Sequence, residues 1–429
     1  MLDSKVDEVR AAVASAQAAQ PSWSARSLGE RARWLGEVRA HLAENVDALA
    51  RAAAAPASRS LSEKIVSEVL PLIEAARFLQ KNAPRILAPR FFGRRGRPFW
   101  LPGHSFTVAR KPFGVILIVG PSNYPLFLPA VQTLHALAAG NAVVIKPAEG
   151  CREPLAKFIE LVIRPAGLPM NLVQLLPEKP EAARAALRHG IGKAIFTGSS
   201  ENGRAFLADL AIHNTPSVME LSGADAVFIR ADADLDLAAK AIAFGLRLNA
   251  GNTCMAPHAI IAYRQIVPAL QAKMRALDLP TDGIFAVQDD EQALEIAGFD
   301  EHGLGASIFA RDENAARAFA DQLGTGFVTI NDMIVPTADP RLPFGGVRAS
   351  GFGSTRGAEG LLEMTYPQAI ALRRSRFLPH LEPLASDDAE FFAAYIRTVH
   401  GRGWRQRLHS LGKLLRLGRE RVQISRKNK

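Results

Sequence analysis

The chain has 429 residues, 48% of them hydrophobic, which is enough for two or three domains with sizeable cores. It carries a formal net charge of +10, but residues 402–429 hold ten Lys or Arg against one acid, so the remainder is close to neutral. The two cysteines have no paired spacing, which argues against a disulfide framework or a metal site, and no apolar run is long enough for a membrane-spanning helix. We therefore expect a globular, cytoplasmic protein.

The first predicted elements are amphipathic helices. Alanine, leucine and spaced charges up to about residue 86 predict several of them, such as helices over 28–53 and 60–79. Residues 81–97 hold six basic residues and no acid, which favours a solvated crossing segment over an anion site. Residues 99–110 alternate between polar and apolar side chains and predict a strand.

Strands and helices then alternate. Residues 113–120 form a continuous β-branched run, as expected of a strand buried on both faces of a parallel sheet. A helix over 128–139 and a second buried strand over 141–147 come next. The alternation continues through 171–176, 180–189, 193–197 and 203–211. This pattern predicts a doubly wound α/β domain that binds ligands where its strands end.

Two features of the next segment are polar. The turn from Thr197 through Gly198 and Ser199 to Gly203 precedes a helix, where backbone N–H groups can hold a phosphate. It lacks the G-x-G-x-x-G fingerprint, so alone it is a weak indication of a dinucleotide site. Glu220 lies inside an apolar strand predicted over 216–229, where a carboxylate is costly unless it is paired or titrates. It is either a structural acid or a general base.

Cys254 follows a helix predicted over 232–248 and lies in a small, turn-prone, polar run. We interpret it as a nucleophile, which needs an electropositive, partly exposed site because a free thiol with a pKa of about 8.5 is little ionised near neutrality. The alternative is a buried cysteine that acts as a small hydrophobe, and Cys151 fits that description better. Strands over 305–310 and 325–331 and a glycine-rich loop over 343–353 complete this region.

Four ordered motif sets identify a resemblance. They are Pro-Ser-Asn-Tyr-Pro at 121–125, Val-Ile-Lys-Pro-Ala-Glu at 144–149, Phe-Thr-Gly-Ser at 196–199 with Glu-Leu-Ser-Gly at 220–223, and Asn-Ala-Gly-Asn-Thr-Cys at 249–254 followed by Pro-Phe-Gly-Gly at 343–346. Together they resemble the aldehyde dehydrogenase superfamily, most of all its class 3 and related bacterial branches. The similarity runs from about Ser22 to Leu372.

The resemblance implies an α/β aldehyde dehydrogenase-like fold, in which a doubly wound parallel sheet forms the cofactor domain beside a second α/β catalytic domain. The implied segments are a cofactor domain over 1–97 and 112–222, a shortened catalytic domain over 223–357, oligomerisation strands over 98–111 and 366–372, and a basic C-terminal extension over 373–429. The strands imply a homodimer.

The resemblance also implies the chemistry. Cys254 would attack an aldehyde, Asn123 would hold the oxyanion together with the Cys254 backbone N–H, and Glu220 would activate the water that hydrolyses the thioester. Asn123 could instead cap the turn before Pro125. Two rival functions are a CoA-acylating enzyme, against which the retained Glu220 argues, and an impaired scaffold.

The cofactor implied by the resemblance is NAD, with NADP as the alternative. Lys146 and Glu149 match the positions that meet the adenosine ribose, and a carboxylate there accepts from a 2′-hydroxyl and repels a 2′-phosphate. Thr197, Gly198 and Ser199 would lie near the pyrophosphate, with Gly203 in the same turn.

The sequence departs from the family pattern at three places. Ser122 replaces the usual tryptophan, and Asn252 replaces the usual glutamine. Several dozen residues are missing between Cys254 and the strand near 305, and the Glu-x-Phe-Gly-Pro element that grips the nicotinamide ribose is not recognisable. The missing element supports the impaired scaffold.

The basic tail has an amphipathic pattern. Its apolar residues fall near one helical face, namely Trp404, Leu408, Leu411, Leu415 and Val422. The pattern is typical of a helix on an anionic membrane surface or on a partner, while a solvated or disordered tail is the alternative. Nucleic acid is not expected, since there is no aromatic-rich basic groove. A long-chain aldehyde is the substrate that membrane contact would suit.

Overall fold

The computed structural model describes residues 2–53, 59–98, 101, 103–374, 381, 384 and 388–427. It divides into a larger unit, Met1–Phe91 with Thr107–Ile370, and a smaller unit, Phe92–Phe106 with Ala371–Lys429. The α-helices of the larger unit are α1 (Leu2–Ser24), α2 (Leu28–Glu44), α3 (Val46–Ala52), α4 (Leu61–Lys64), α5 (Leu70–Ile86), α6 (Phe127–Ala139), α7 (Arg152–Phe158), α8 (Pro180–Leu187), α9 (Ser200–Ile212), α10 (Leu235–Arg247), α11 (Val267–Arg275), α12 (Asp290–Gly298), α13 (Glu313–Ala320) and α14 (Gly357–Glu363). Those of the smaller unit are α15 (Asp388–His400) and α16 (Trp404–Lys427).

The strands follow the same order along the chain. They are β1 (Arg90–Phe92), β2 (His104–Pro112), β3 (Val115–Val119), β4 (Ala142–Lys146), β5 (Val173–Leu175), β6 (Lys193–Thr197), β7 (Ser217–Glu220), β8 (Asp225–Ile229), β9 (Pro257–Tyr263), β10 (Ile284–Val287), β11 (His302–Gly303), β12 (Gly305–Phe309), β13 (Phe327–Ile330), β14 (Val347–Arg348), β15 (Gly351–Phe352) and β16 (Thr365–Arg373). The predicted mixed α/β class is confirmed.

The N-terminal helices form, with two interruptions of the predicted spans. Ser27 and Glu30 make a capping box that starts α2, which ends at Asn45, so the helix predicted over 28–53 is two helices. A π-helical turn over Ile65–Val69 joins α4 to α5. The apolar faces of these helices belong to the same core as β3, β4 and β6.

A six-stranded sheet has the order β15-β7-β6-β3-β4-β5, and its strands are parallel except for β15. Every residue of β3, β4 and β6 is buried, as the continuous apolar runs predict for strands covered on both faces. The predicted doubly wound parallel sheet is confirmed. The carboxyl ends of β4, β6 and β7 therefore lie at one edge, which is where such sheets bind ligands.

A second, five-stranded sheet has the order β10-β9-β8-β12-β13 and is parallel throughout. The single strand predicted over 216–229 is wrong, because β7 ends at Glu220 in the first sheet and β8 begins at Asp225 in the second. Between them, the Leu221 N–H donates to the Ser350 carbonyl, and the Ser350 hydroxyl donates to the Ser222 carbonyl. These bonds to the glycine-rich loop replace the sheet ladder and break the strand.

Strands also form in the segments predicted to oligomerise, where residues 99, 100 and 102 lie outside the described part of the chain. They are β2 and β16, which join β1 in a three-stranded sheet. After Thr365, every residue of β16 is exposed. In the smaller unit, α15 packs against α16. No helix in the described ranges is long and apolar enough to cross a membrane.

Candidate active site

Cys254 follows an unusual turn at the end of α10. The backbone is left-handed at Asn249 (φ 53°), Ala250 (φ 52°) and Gly251 (φ 79°), a conformation that costs a residue with a side chain roughly 1–2 kcal/mol. Asn249 holds this turn in place, because its backbone N–H donates to Glu63 Oε1 at 2.8 Å and its amide donates to the Asn123 carbonyl at 3.0 Å. The turn and the Asn123 loop are therefore fixed to each other.

Asn123 lies beside this turn. Its Nδ2 donates to the carbonyl oxygen of Asn252 at 3.1 Å, and its Oδ1 accepts from the Tyr124 N–H at 2.9 Å. The Tyr124 hydroxyl is in turn 2.7 Å from the Thr253 hydroxyl. Asn123 thus caps its own turn and also contacts the segment that carries Cys254, and its second amide hydrogen can serve an oxyanion.

Glu220 is 3% exposed at the end of β7. Its Oε2 accepts from the Thr355 hydroxyl at 2.8 Å, and Gly351 in β15 is its neighbour across the strand pair. Burial raises the pKa of Glu220, and the charge of Arg356 and the hydrogen bond from Thr355 oppose that rise. The arrangement leaves Glu220 able to take up a proton, as a general base must.

Acidic and basic groups both act on Cys254, so the purely electropositive surroundings that were expected are not found. Burial raises the pKa of the Cys254 thiol to about 12, and the carboxyl groups of Glu220 and Asp225 add to the rise, while Arg356 opposes it. The expected partial exposure is found. Cys151 is buried, as predicted. With this pKa, Cys254 is a protonated thiol near neutral pH. It must give its proton to a nearby base before its sulfur can act as a nucleophile.

Two cavities meet at Cys254. The first, the apolar cavity, has a volume of about 820 Å³ and is lined mainly by apolar side chains, among them Leu70, Phe78, Phe127, Phe244, Met255 and Phe344. The second, the polar cavity, has a volume of about 770 Å³ and is lined by residues around the carboxyl ends of β4, β6 and β7. Both walls include Leu128, Glu220, Thr253 and Cys254. A molecule in each cavity would therefore reach the same sulfur.

Five of the predicted cofactor-binding residues line the polar cavity, namely Lys146, Glu149, Thr197, Gly198 and Ser199. Glu149 is ion-paired with Lys179 at 2.8 Å, and that bond lowers the pKa of Glu149, so it is a carboxylate. Burial lowers the pKa of Lys146, with Glu149 opposing. The Ser199 hydroxyl accepts from the Asn202 N–H and caps α9.

Gly203 does not line this cavity. A Cβ atom on Gly203 would lie 2.4 Å from Leu221 Cδ2, so glycine is needed there for α9 to pack on the end of β7. The cavity suits a dinucleotide in other respects, because it combines a helix N-terminus, a carboxylate and a buried amine. The described residues contain no His, Cys, Asp or Glu cluster suited to a metal ion.

No role was predicted from the sequence for four residues of this site. Asn249, Thr355, Arg356 and Asp225 carry common residue types, and their roles depend on contacts with segments far away in the chain. Thr355 and Arg356 lie just beyond the predicted glycine-rich loop, and Asn249 begins the motif that ends at Cys254; these positions were the available signals. Asp225 is 5% exposed, and burial raises its pKa to about 7, although the Gly305 N–H bonds to it.

Comparison with known proteins gives a consistent result. The model of the aldehyde dehydrogenase family matches residues 1–278 and 280–370. One relative is the 4,4'-diapolycopene aldehyde oxidase of a Methylomonas species, 28% identical over 88% of this chain and 84% of that protein. Another is a putative succinate-semialdehyde dehydrogenase [NADP(+)] of Mycolicibacterium smegmatis, 27% identical over 86% of this chain and 85% of that protein.

Solved structures share the fold. A putative aldehyde dehydrogenase from Burkholderia cenocepacia is 24% identical, with a TM-score of 0.81 over 88% of this chain and 92% of that one. PnpE from Pseudomonas sp. WBC-3, in its complex with nicotinamide adenine dinucleotide, is 23% identical, with a TM-score of 0.80 and the same two coverages.

Proposed function

Since the chain belongs to the aldehyde dehydrogenase family, and is thus an NAD(P)-dependent enzyme, we propose that it oxidises an apolar aldehyde to the carboxylic acid through a thioester on Cys254. The observation that carries this proposal is the meeting of the apolar and polar cavities at Cys254 and Glu220. An aldehyde would enter through one cavity, and the dinucleotide would occupy the other.

The residues divide the work as follows. Cys254 Sγ gives its proton to Glu220, which passes it to solvent, and bonds to the aldehyde carbon, while the second amide hydrogen of Asn123 and the Cys254 backbone N–H stabilise the oxyanion. A nicotinamide held in the polar cavity would supply the acceptor for the hydride that leaves the former aldehyde carbon, which leaves a thioester on Cys254. Glu220, ionised again, takes a proton from a water molecule whose oxygen attacks the thioester carbon, and that proton passes to the Cys254 sulfur as the acid leaves.

Both NAD and NADP serve the family, and the polar cavity favours NAD. Lys146 and Glu149 would meet the adenosine ribose, and the ionised Glu149 would repel a 2′-phosphate. Thr197, Gly198 and Ser199 would line the pyrophosphate. The Glu149 ion pair with Lys179 is exposed, so Lys179 can turn toward a phosphate and reduce this preference.

The apolar cavity favours a long or bulky apolar aldehyde. Its volume is within the range of cavities that enclose drug-sized ligands. Several of its apolar residues are exposed, among them Val66 at 58%, Leu70 at 50% and Val335 at 57%. The relative from Methylomonas is named as an oxidase of 4,4'-diapolycopene aldehyde, which is an apolar aldehyde. A short dicarboxylic semialdehyde, as named for the mycobacterial relative, would leave most of this surface unfilled.

The smaller unit would bring the enzyme to an anionic membrane surface. Trp404, Leu408 and Leu415 are 67%, 57% and 57% exposed and lie on one face of α16, whereas Ser410 and Leu417 are buried on another. The chain from 402 to 429 is strongly basic, which complements anionic lipid. The predicted face included Val422, whose side chain lies outside the described residues.

The exposed strand β16 supports the homodimer that was predicted for this chain. Tyr366, Ile370 and Leu372 are 44%, 49% and 50% exposed along a strand that pairs within a three-stranded sheet. Apolar residues exposed along a sheet edge are typical of surfaces that pair with a second chain. Sedimentation analysis would give a dimer mass, and Ile370→Asp would shift it to the monomer.

A second candidate function is a binding protein with very slow turnover. The raised pKa of Cys254 favours it, because a protonated thiol is a poor nucleophile. The test is NADH formation with aldehydes from short aliphatic to long-chain and aromatic, with and without CoA, beside Cys254→Ala. The proposal expects turnover that the variant loses and that CoA does not require. Binding of NAD without turnover on any aldehyde would overturn it.

A further inference from the structure

Arg356 is a buried cation in the wall of the apolar cavity. Only 5% of the residue is exposed, and it directly follows Thr355, the donor to Glu220. Its guanidinium carbon lies 3.9 Å from the centre of the Phe344 ring and 5.6 Å from that of the Phe127 ring. Two aromatic rings thus hold the charge beside the groups assigned to the reaction.

The charge of Arg356 is poorly compensated. Nη1 donates to the Thr337 carbonyl and Nε has no hydrogen-bond partner. No carboxylate among the described residues forms an ion pair with it, and the acidic groups that raise its pKa against the effect of burial are Glu220 and Cys254. Burying a cation costs several kcal/mol, whereas an aromatic contact returns about 2 kcal/mol. Packing alone therefore does not explain a guanidinium at this position.

The charges that act most strongly on Cys254 come from three elements. Glu220 at the end of β7 and Asp225 at the start of β8 disfavour a thiolate, and Arg356 before α14 favours it. Tyr124 on the facing turn has a pKa raised to about 12 by burial and stays neutral. Other charged or titratable groups in the two cavity walls include Arg77, Lys81, Lys146, Glu149, His258 and Arg341.

We propose, on the premise that Cys254 and Glu220 carry out the proposed reaction, that Arg356 is a positioning residue that holds one negative charge on this pair. The charge first resides on the Glu220 carboxylate. When the Sγ–H bond breaks, its proton bonds to a Glu220 oxygen, and the electron pair left on Sγ carries the charge. Arg356 and the pair keep the same total charge throughout, so the buried site avoids a net ionisation.

The experiment measures Cys254 directly, without cofactor or substrate. In the full chain with Cys151→Ala, Cys254 is the one remaining cysteine. Its alkylation by iodoacetamide, a neutral reagent, is followed by mass spectrometry across a range of pH. Below the thiol pKa the rate is proportional to the thiolate fraction, so each unit of pKa change gives about a tenfold change in rate. The variants are Arg356→Lys and Arg356→Met.

The expected result is a fall of about tenfold or more with Arg356→Met and a rate within about threefold of the parent with Arg356→Lys. The matched control is Arg31→Met, because Arg31 is also a buried arginine but donates to carbonyls of the turn between α1 and α2 and of α6. It should alkylate at the parent rate. An unchanged rate in Arg356→Met would overturn the proposal, and so would an equal fall in both Arg356 variants, which would indicate a packing role.

A substrate role for Arg356 gives a different pattern. If the guanidinium binds a carboxylate of the substrate, Arg356→Met would raise KM for dicarboxylic semialdehydes and leave the alkylation rate unchanged, which would overturn the proposal. Failure of the proposed function is distinguishable, because it would appear as absent NADH formation in the parent, whereas the alkylation comparison needs no turnover.

Discussion

A Cβ atom on Gly223 would lie 2.5 Å from the carbonyl oxygen of Cys254. The same atom would lie 2.6 Å from Asp225 Oδ1 and 2.9 Å from Leu304 Cβ, so a side chain at this position would clash with three neighbours at once. The glycine that ends Glu-Leu-Ser-Gly is thus what lets the segment after Glu220 pass directly under the nucleophile. A side chain at position 223 would therefore press on the backbone of Cys254.

We expect Gly223→Ala to displace the Cys254 turn, because the clash is with backbone rather than with a flexible side chain. A displacement of about 1 Å can reduce the rate of a positioned reaction by about a hundredfold. Measurement of kcat/KM beside the melting temperature checks this. Gly298→Ala is the control, since a Cβ there meets nothing within 4 Å. Equal activity in the two variants would show that the contact does not position Cys254.

Thr355→Val should impair Glu220 in a pH-dependent way. Removing the hydroxyl leaves a buried carboxylate without its donor, which raises the pKa of Glu220 further and costs roughly 1–3 kcal/mol of stability. Activity that depends on the ionised Glu220 should therefore begin at higher pH. The pH profile of kcat/KM tests this, with Thr329→Val as the control because Thr329 is buried but bonds to Ser307 and Asp332. If the acid limb of the kcat/KM profile stayed at the same pH in Thr355→Val, the assignment of Glu220 as the general base would be contradicted.

Asp225 should make the protein less stable as pH rises. Burial raises its native pKa to about 7 from 3.8, so the native state binds more protons in this interval and stability is lost as pH rises through about 7. Each unit of difference is worth about 1.4 kcal/mol, a total of a few kcal/mol. Asp225→Asn should flatten the free energy of unfolding between about pH 4 and pH 7, as measured by urea titrations.

Asp232→Asn is the control of opposite sign for that measurement. Asp232 is exposed, and the slight desolvation that it has raises its pKa, but the N–H groups of Asp312 and Arg311 donate to it and the net pKa is lowered. The ionised Asp232 therefore stabilises the native state at pH values above the pKa of an unfolded aspartate. This stabilisation is lost as the pH falls through the lower native pKa. The variant should therefore lose stability near neutrality and little at low pH. Parallel curves for both variants would contradict the Asp225 prediction.

The substrate prediction rests on the apolar cavity. Each methylene buried contributes about 0.8 kcal/mol, so kcat/KM should rise about fourfold per methylene until the cavity is filled. Ala338→Trp places a large ring in the wall and should lower the chain length of the best substrate while leaving short aldehydes almost unaffected. A flat dependence on chain length in the parent would show that this cavity does not hold the substrate.

The membrane prediction concerns one face of α16. Replacing Leu408 and Leu415 by Asp should abolish cosedimentation with vesicles that contain anionic lipid. Replacing the exposed Gln406 and His409 by Asp adds the same charge on another face and should reduce binding far less. Activity on short aldehydes should stay unchanged in both. If both double variants lost vesicle binding equally, electrostatic attraction alone would explain the binding. Insertion of the apolar face of α16 would then be excluded.

The sequence predicts strands buried on both faces well, because an apolar run such as that of β3 has one stable environment. It predicts the break between β7 and β8 badly, since the residues on both sides are equally strand-like. The cause of the break, the bonds from Ser350 in a loop far along the chain, is not local. Similarly, Cys254 and Glu220 stand out by residue type, whereas Thr355 and Arg356 act only through contacts that folding creates.

The two cavities that meet at Cys254 bear on the order of events during turnover. If both reactants shared one entrance, the reactant that binds second would have to be released, as product, before the one that binds first. Because the apolar and polar cavities reach the sulfur from different walls, the proposed function would let the acid leave while the dinucleotide stays bound, and would let a new aldehyde bind before the dinucleotide is exchanged. On that proposal, binding of the two reactants would be independent, and release of either the acid or the dinucleotide could limit the rate of turnover.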